Sequence, residues 1–136
     1  MTSSLSCSEI VQPDFDVVVV GAGLVGAAQG LALRQAGFKV LNIDSGTPFS
    51  NSGSSVRRDV RGLALAPSSQ MLLKRLALWD ELKPRVTPIE HIHVSDQGRF
   101  GFTRLNAADI GLDALANVCP ADYLLENLQT ALDAQS

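Results

Sequence analysis

Glycines at positions 21, 23 and 26, with an aspartate at 44, are the residues of this 136-residue chain whose types and spacing most directly suggest chemistry. In Gly21-Ala22-Gly23-Leu24-Val25-Gly26 the first glycine can take the turn that ends a strand, because it has no Cβ to clash. The second lets the backbone approach a diphosphate, and the third lets a helix pack closely on a strand. A helix starting here aims its unpaired N–H groups and positive dipole end at phosphate oxygens. Asp44 follows Gly26 by 18 residues, close to the spacing of an acid that accepts hydrogen bonds from a ribose 2′-hydroxyl. Its charge would repel a 2′-phosphate, which favours FAD or NAD over NADP.

These groups recognise a ligand; they do not react with it. No GxSxG, HExxH or nucleophilic cysteine signature is present, and no paired carboxylates stand out. No catalytic side chain is therefore assigned, and any chemistry must come from a cofactor. His91 and His93 share one face of an expected strand, but no third ligand is near them in sequence, so no metal site is expected. Arg57, Arg58 and Arg61 form a basic cluster that could meet a phosphate or a flavin edge.

The elements that must position these residues are legible in part. Phe15–Val20 reads as a first strand, and its valine run suits a parallel strand buried on both faces. Leu24–Ala36 reads as a helix stopped by Gly37, and Lys39–Asp44 as a second strand. Together they make a Rossmann-like βαβ unit of the α/β class. The segment Ser45–Val56, rich in Ser, Gly, Asn and Pro, reads as a loop. A helix capped by Ser68 or Ser69 is expected to about Leu82, with Leu72, Leu76 and Trp79 as its apolar stripe and Pro84 and Pro88 ending it. Ile89–Ser95 and Phe100–Leu105 read as a hairpin around Asp96-Gln97-Gly98-Arg99. A last helix is expected over Asp122–Asp133, with Leu124, Leu125, Leu128 and Leu132 on one face.

Length and a 46% hydrophobic content suit one globular domain, and a net charge of −3 offers nucleic acid no basic footprint. Residues 1–14 read as a flexible leader without the basic end of a signal peptide, and 15–136 as the domain. The uncharged stretch Val17–Leu33 is broken by four glycines and Gln29, so no transmembrane segment is expected. Cys7 and Cys119 lack metal or redox spacing and read as reduced thiols of a cytoplasmic protein; peripheral association with a membrane stays open.

Three blocks carry a more specific signal. Asp16–Leu33, then Asp59-Val60-Arg61-Gly62-Leu63-Ala64-Leu65-Ala66, then Ile89–Phe102 with its His93-Val94-Ser95-Asp96-Gln97-Gly98 box, resemble flavin-dependent aromatic hydroxylases of ubiquinone biosynthesis, those of 2-octaprenyl-6-methoxyphenol type above all. The resemblance implies that Gly21, Ala22, Gly23, Leu24, Val25 and Gly26 grip the FAD diphosphate, that Asp44 holds the adenosine ribose, and that Arg61 lies along the flavin. It further implies NAD(P)H as reductant, O2 and a prenylated phenol as substrates, a ubiquinone-biosynthesis complex as a candidate partner, and a cytoplasmic protein that could sit peripherally at the inner membrane. Val60 departs from the glycine usual in relatives, and Gln29-Gly30 from a more aliphatic helix. Family members continue into further flavin- and substrate-covering segments, so this chain reads as an N-terminal part of such an enzyme, inactive alone. Two parallel strands and one helix would leave sheet edges unpaired and apolar faces uncovered. The alternatives are the nucleotide-binding half of an NAD-dependent dehydrogenase and a truncated, non-catalytic interaction protein. The dehydrogenase reading lacks a Tyr-x-x-x-Lys, since Tyr123 is followed four residues later by Asn127.

Overall fold

The structure is a computed structural model and describes residues 14–45, 61–98 and 100–134. The expected leader up to residue 13, most of the expected loop after Ser45, and Arg57, Arg58, Asp59, Val60 and Arg99 lie outside the described residues.

The opening unit follows the glycine pattern. Strand β1 (Val17–Val20) leads into helix α1 (Leu24–Gln35), which returns to strand β2 (Val40–Ile43), paired in parallel with β1 from Val17↔Val40 to Val20↔Ile43. The helix ends at Gly37, whose positive φ of 92° no side chain adopts comfortably. Asp16 pins the start of β2, its Oδ2 accepting the Lys39 amide at 2.8 Å.

The valine run is not buried on both faces. Val17 and Val19 point toward α1, while Val18 and Val20 are 52% and 84% exposed. Leu41 and Ile43 of β2 are exposed as well. A two-stranded sheet with one covering helix has only one shielded face, so the run reflects a strand made to be covered twice.

The remaining strands form two further sheets. Strands β3 (Gly62–Leu65), β4 (Thr87–Ile89) and β7 (Ala116–Pro120) are antiparallel in the order β3-β7-β4. Pro88 therefore lies inside an edge strand, where its missing N–H costs no ladder bond. Strands β5 (His91–Ser95) and β6 (Phe102–Asn106) make the expected hairpin. The run Ile89–Ser95 is thus not one strand: it divides at Glu90 between two sheets.

The single helix expected up to Leu82 is two. Helix α2 (Pro67–Arg75) starts with proline at its first turn and Ala66 as its N-cap, in place of Ser68 or Ser69. Ala77 then takes a left-handed φ of 58°, and helix α3 (Trp79–Leu82) follows in a new direction. The break re-phases the apolar stripe. Leu73, Leu76, Leu78, Trp79 and Leu82 are buried, whereas Leu72 is 44% exposed.

Helix α4 (Ala121–Asp133) follows β7 and buries Leu124, Leu128 and Leu132. These join Ala27 and Leu31 of α1, Leu65 of β3, the α2–α3 leucines and Cys119 in one core. Arg34 of α1 fastens the end of α4, donating to the Leu132 carbonyl at 2.8 Å and to the Val40 carbonyl at 3.2 Å. A cation at the carbonyl end of a helix also complements its dipole.

Burial pushes the Cys119 thiol above its ordinary value of 9.0; the Asp122 carboxylate adds to this and Arg85 opposes it. A thiol that titrates higher when folded holds its full stabilising effect below the unfolded value and loses it as pH rises toward the folded one. We expect the free energy of unfolding to fall above pH 9.0 and to fall less steeply in Cys119→Ala. Urea titrations of both proteins from neutral to alkaline pH measure the two slopes.

Candidate functional site

Every peptide plane across the turn between β1 and α1 is tied down. The Gly21 amide donates to the Ile43 carbonyl of β2 at 2.7 Å. The Ala22 amide donates to Asp44 Oδ2 in a short hydrogen bond. The Ala22 carbonyl accepts from Gln129 Nε2 of α4 at 3.0 Å. The Gly23 carbonyl accepts the Ala27 amide at 2.8 Å, the first bond of the helix. Sequence spacing thus brings Gly21–Gly26 and Asp44 into one place.

The glycines do separate jobs. Gly21 turns the chain with φ of 104°. A Cβ on Gly26 would overlap the Gly21 carbonyl oxygen and lie 2.8 Å from its carbon, so helix and turn touch backbone to backbone. A Cβ on Gly23 would meet nothing within 4 Å. Gly23 is exposed and serves as the N-cap of α1, with no side chain capping that end. The N–H groups of the first helical turn, among the described residues, are therefore left to a ligand or to water.

That arrangement fits an anionic nucleotide. Open space lies beside Gly23, the helix presents N–H groups and its positive end there, and a carboxylate stands at the end of the neighbouring strand. The Leu24 and Val25 side chains flank the turn, Leu24 packed against the core and Val25 exposed. Arg61 stands apart from this cluster, immediately before β3 in another sheet, where its carbonyl accepts the Ala121 amide at 2.9 Å.

Gln129 is the member of this cluster that spacing did not reveal. It lies 107 residues from Ala22, and one amide on a helix carries no local signature. Asn42 plays a related part from β2, donating from Nδ2 to the Gly26 carbonyl at 3.1 Å.

The two histidines have other partners. His91 Nδ1 lies 3.0 Å from Asn106 Oδ1, and Asn106 Nδ2 donates to Asp109 at 2.8 Å. Arg104 Nε donates to His93 Nδ1 at 3.3 Å, and the His93 ring stacks on Phe102 with centroids 5.4 Å apart. No group of three or more metal-binding side chains gathers among the described residues. Nor is any described helix long and apolar enough to cross a membrane.

Residues 14–134 match the family described as FAD binding domain. The chain is similar to the ubiquinone hydroxylase UbiL of Rhodospirillum rubrum, at 39% identity over 112 residues, covering 82% of this chain and 24% of that protein. It is also similar to the 3-demethoxyubiquinol 3-hydroxylase of Escherichia coli K12, at 31% identity over 120 residues, covering 88% of this chain and 30% of that protein. The chain thus spans less than a third of the length of these relatives. Its fold is similar to that of a part of PqsL, a probable FAD-dependent monooxygenase of Pseudomonas aeruginosa, with a TM-score of 0.67 at 18% identity over 90% of this chain and 31% of that one.

Proposed function

The chain belongs to the FAD binding domain family, and we propose that it is the nucleotide-gripping part of an FAD-dependent aromatic-ring monooxygenase. The observation that carries this proposal is the uncapped start of α1 at an exposed Gly23, with Asp44 clamped to the adjacent Ala22. Residues 15–136 act as a portion of the FAD-binding domain. The N–H groups of Gly23 to Gly26 hold the diphosphate, and Asp44 accepts a hydrogen bond from the adenosine ribose while keeping Ala22 in place. Arg61 lies toward the flavin end. Bound flavin supplies the electron and oxygen chemistry.

Two relatives support a substrate class. UbiL and the E. coli hydroxylase are named for ubiquinone compounds, and on this proposal the full-length enzyme hydroxylates a prenylated phenol of ubiquinone biosynthesis. It uses O2 and takes electrons from NAD(P)H. A prenyl tail partitions into lipid, which places the working enzyme at the face of the inner membrane. On this proposal the 136-residue chain alone binds FAD weakly and hydroxylates nothing, since it spans less than a third of the length of those hydroxylases.

Titration of the purified chain with FAD, followed by quenching of flavin fluorescence, tests the assignment. We expect saturable binding that ADP displaces, without NAD(P)H oxidation. In Asp44→Ala the dissociation constant should rise roughly 10- to 100-fold, because hydrogen bonds to a charged acceptor are lost. Absence of FAD binding, or an Asp44→Ala variant that binds as well as the parent, overturns the assignment.

A further inference from the structure

We propose that Gln129 is a positioning residue for the anion-binding turn: its side-chain amide holds the Ala22 carbonyl toward α4 and so directs the Gly23 N–H outward, to the diphosphate. The last step rests on the FAD assignment above; the hold of Gln129 on the peptide does not.

The geometry points one way. Only the NH2 end of Gln129 can pair with a carbonyl oxygen, and it does so at 3.0 Å. The Ala22–Gly23 peptide is trans and planar, so its C=O and N–H point to opposite sides. With the carbonyl drawn toward α4, the N–H faces away from the core, and Gly23 is exposed on that side. The neighbouring planes are held by β2, through Ile43 and Asp44, and by the helix itself through Ala27. The Ala22–Gly23 plane depends on a side chain 107 residues away.

A second observation supports the role. Gln129 Oε1 is buried with no hydrogen-bond partner. A leucine or methionine at this position would not bury an unpaired acceptor. The bond to Ala22 is what the amide contributes in exchange. Its anchorage is firm, since Leu128 and Leu132 beside it are in the core and Arg34 ties the Leu132 carbonyl to α1.

Gln129→Met removes the donor and keeps the length of the side chain. In the ligand-free 136-residue chain, 15N relaxation should show Gly23 ordered in the parent and mobile in the variant, with α4 residues and the thermal midpoint unchanged. FAD should bind roughly 3- to 10-fold more weakly to the variant. Gln129→Glu, which sets an acceptor against the Ala22 carbonyl, should weaken FAD at least as much. Gly23 equally ordered in Gln129→Met and parent overturns the proposal, as does an FAD affinity within twofold of the parent. A general loosening of α4 with a lowered midpoint also overturns it, because Gln129 would then serve the fold alone. A parent that binds no FAD refutes the assignment of the previous section, and the relaxation data still decide what Gln129 does to the turn.

Discussion

Replacing Gly26 by alanine is expected to destabilise the chain by about 1–3 kcal/mol and to abolish measurable FAD binding. The added methyl has nowhere to go. Its carbon would overlap the Gly21 carbonyl oxygen, lie 2.8 Å from the carbonyl carbon and approach Val19 Cγ1 at 3.6 Å. The first two are backbone atoms, and Gly21 already occupies a φ of 104° that fixes the turn. Relief therefore requires α1 to lift from β1, which pulls Ala27 and Leu31 away from the core. Folded domains of this kind have only about 5–15 kcal/mol in reserve. Urea denaturation reads the loss, and a variant as stable as the parent would contradict the close approach of helix and turn. Gly23→Ala is the informative counterpart. Its methyl meets nothing within 4 Å and its φ is −70°, so the cost should be limited to about 1 kcal/mol, the amount by which alanine is a poorer N-cap than glycine. The same methyl stands where the diphosphate would come, so FAD affinity should fall without any loss of fold. A Gly23→Ala chain that keeps its affinity would place the nucleotide elsewhere.

Leu128→Ala is expected to cost about 2–5 kcal/mol. Leu128 is 1% exposed and sits where α4 meets Leu31 of α1 and the leucines of α2 and α3. Truncation opens a cavity in the core where α4 packs. For a domain of this size the thermal midpoint should drop by roughly 10 °C or more. The next residue, Gln129, carries the bond to Ala22, so the glycine turn should loosen along with the core. Leu125, on the same helix but only half-buried, is the control: Leu125→Ala should cost clearly less. Calorimetry of the two variants distinguishes core packing from a general dislike of alanine on α4.

The part of the molecule that could be read from sequence is the part whose signals are local. Gly21, Gly23, Gly26 and Gly37 punctuate one short strand and one helix, and Asp44 marks the end of the next strand. The hairpin announces itself at Asp96-Gln97-Gly98, and α4 through leucines four apart at 124, 128 and 132. What escaped was set by distant contacts. β3 reads Gly-Leu-Ala-Leu and β7 reads Ala-Asn-Val-Cys-Pro, with Val118 the one β-branched residue in the two. They are strands because Gly62↔Pro120 through Leu65↔Asn117 pair across more than fifty residues. Gly62 even permits that pairing sterically, since a Cβ there would come within 2.9 Å of Val118 Cγ1. The break at Ala77 is equally silent, because Leu-Ala-Leu is a helical sequence and burial of Leu78 and Trp79 overrides it. In the candidate site, Asp44 and the glycines were visible and Gln129 was not, for the same reason.

The distance between Ala22 and Gln129 along the chain also imposes an order of events. A ribosome releases the glycine turn early, yet the partner that sets its Ala22–Gly23 peptide belongs to α4, 107 residues on. Nascent polypeptide carrying only the opening βαβ unit has Asp44 in place on the Ala22 amide, but the Ala22 carbonyl still lacks its partner. Long-range closures of this kind come late in folding. Full affinity for the cofactor should accordingly follow synthesis of α4, and chains terminated before it should hold flavin more weakly.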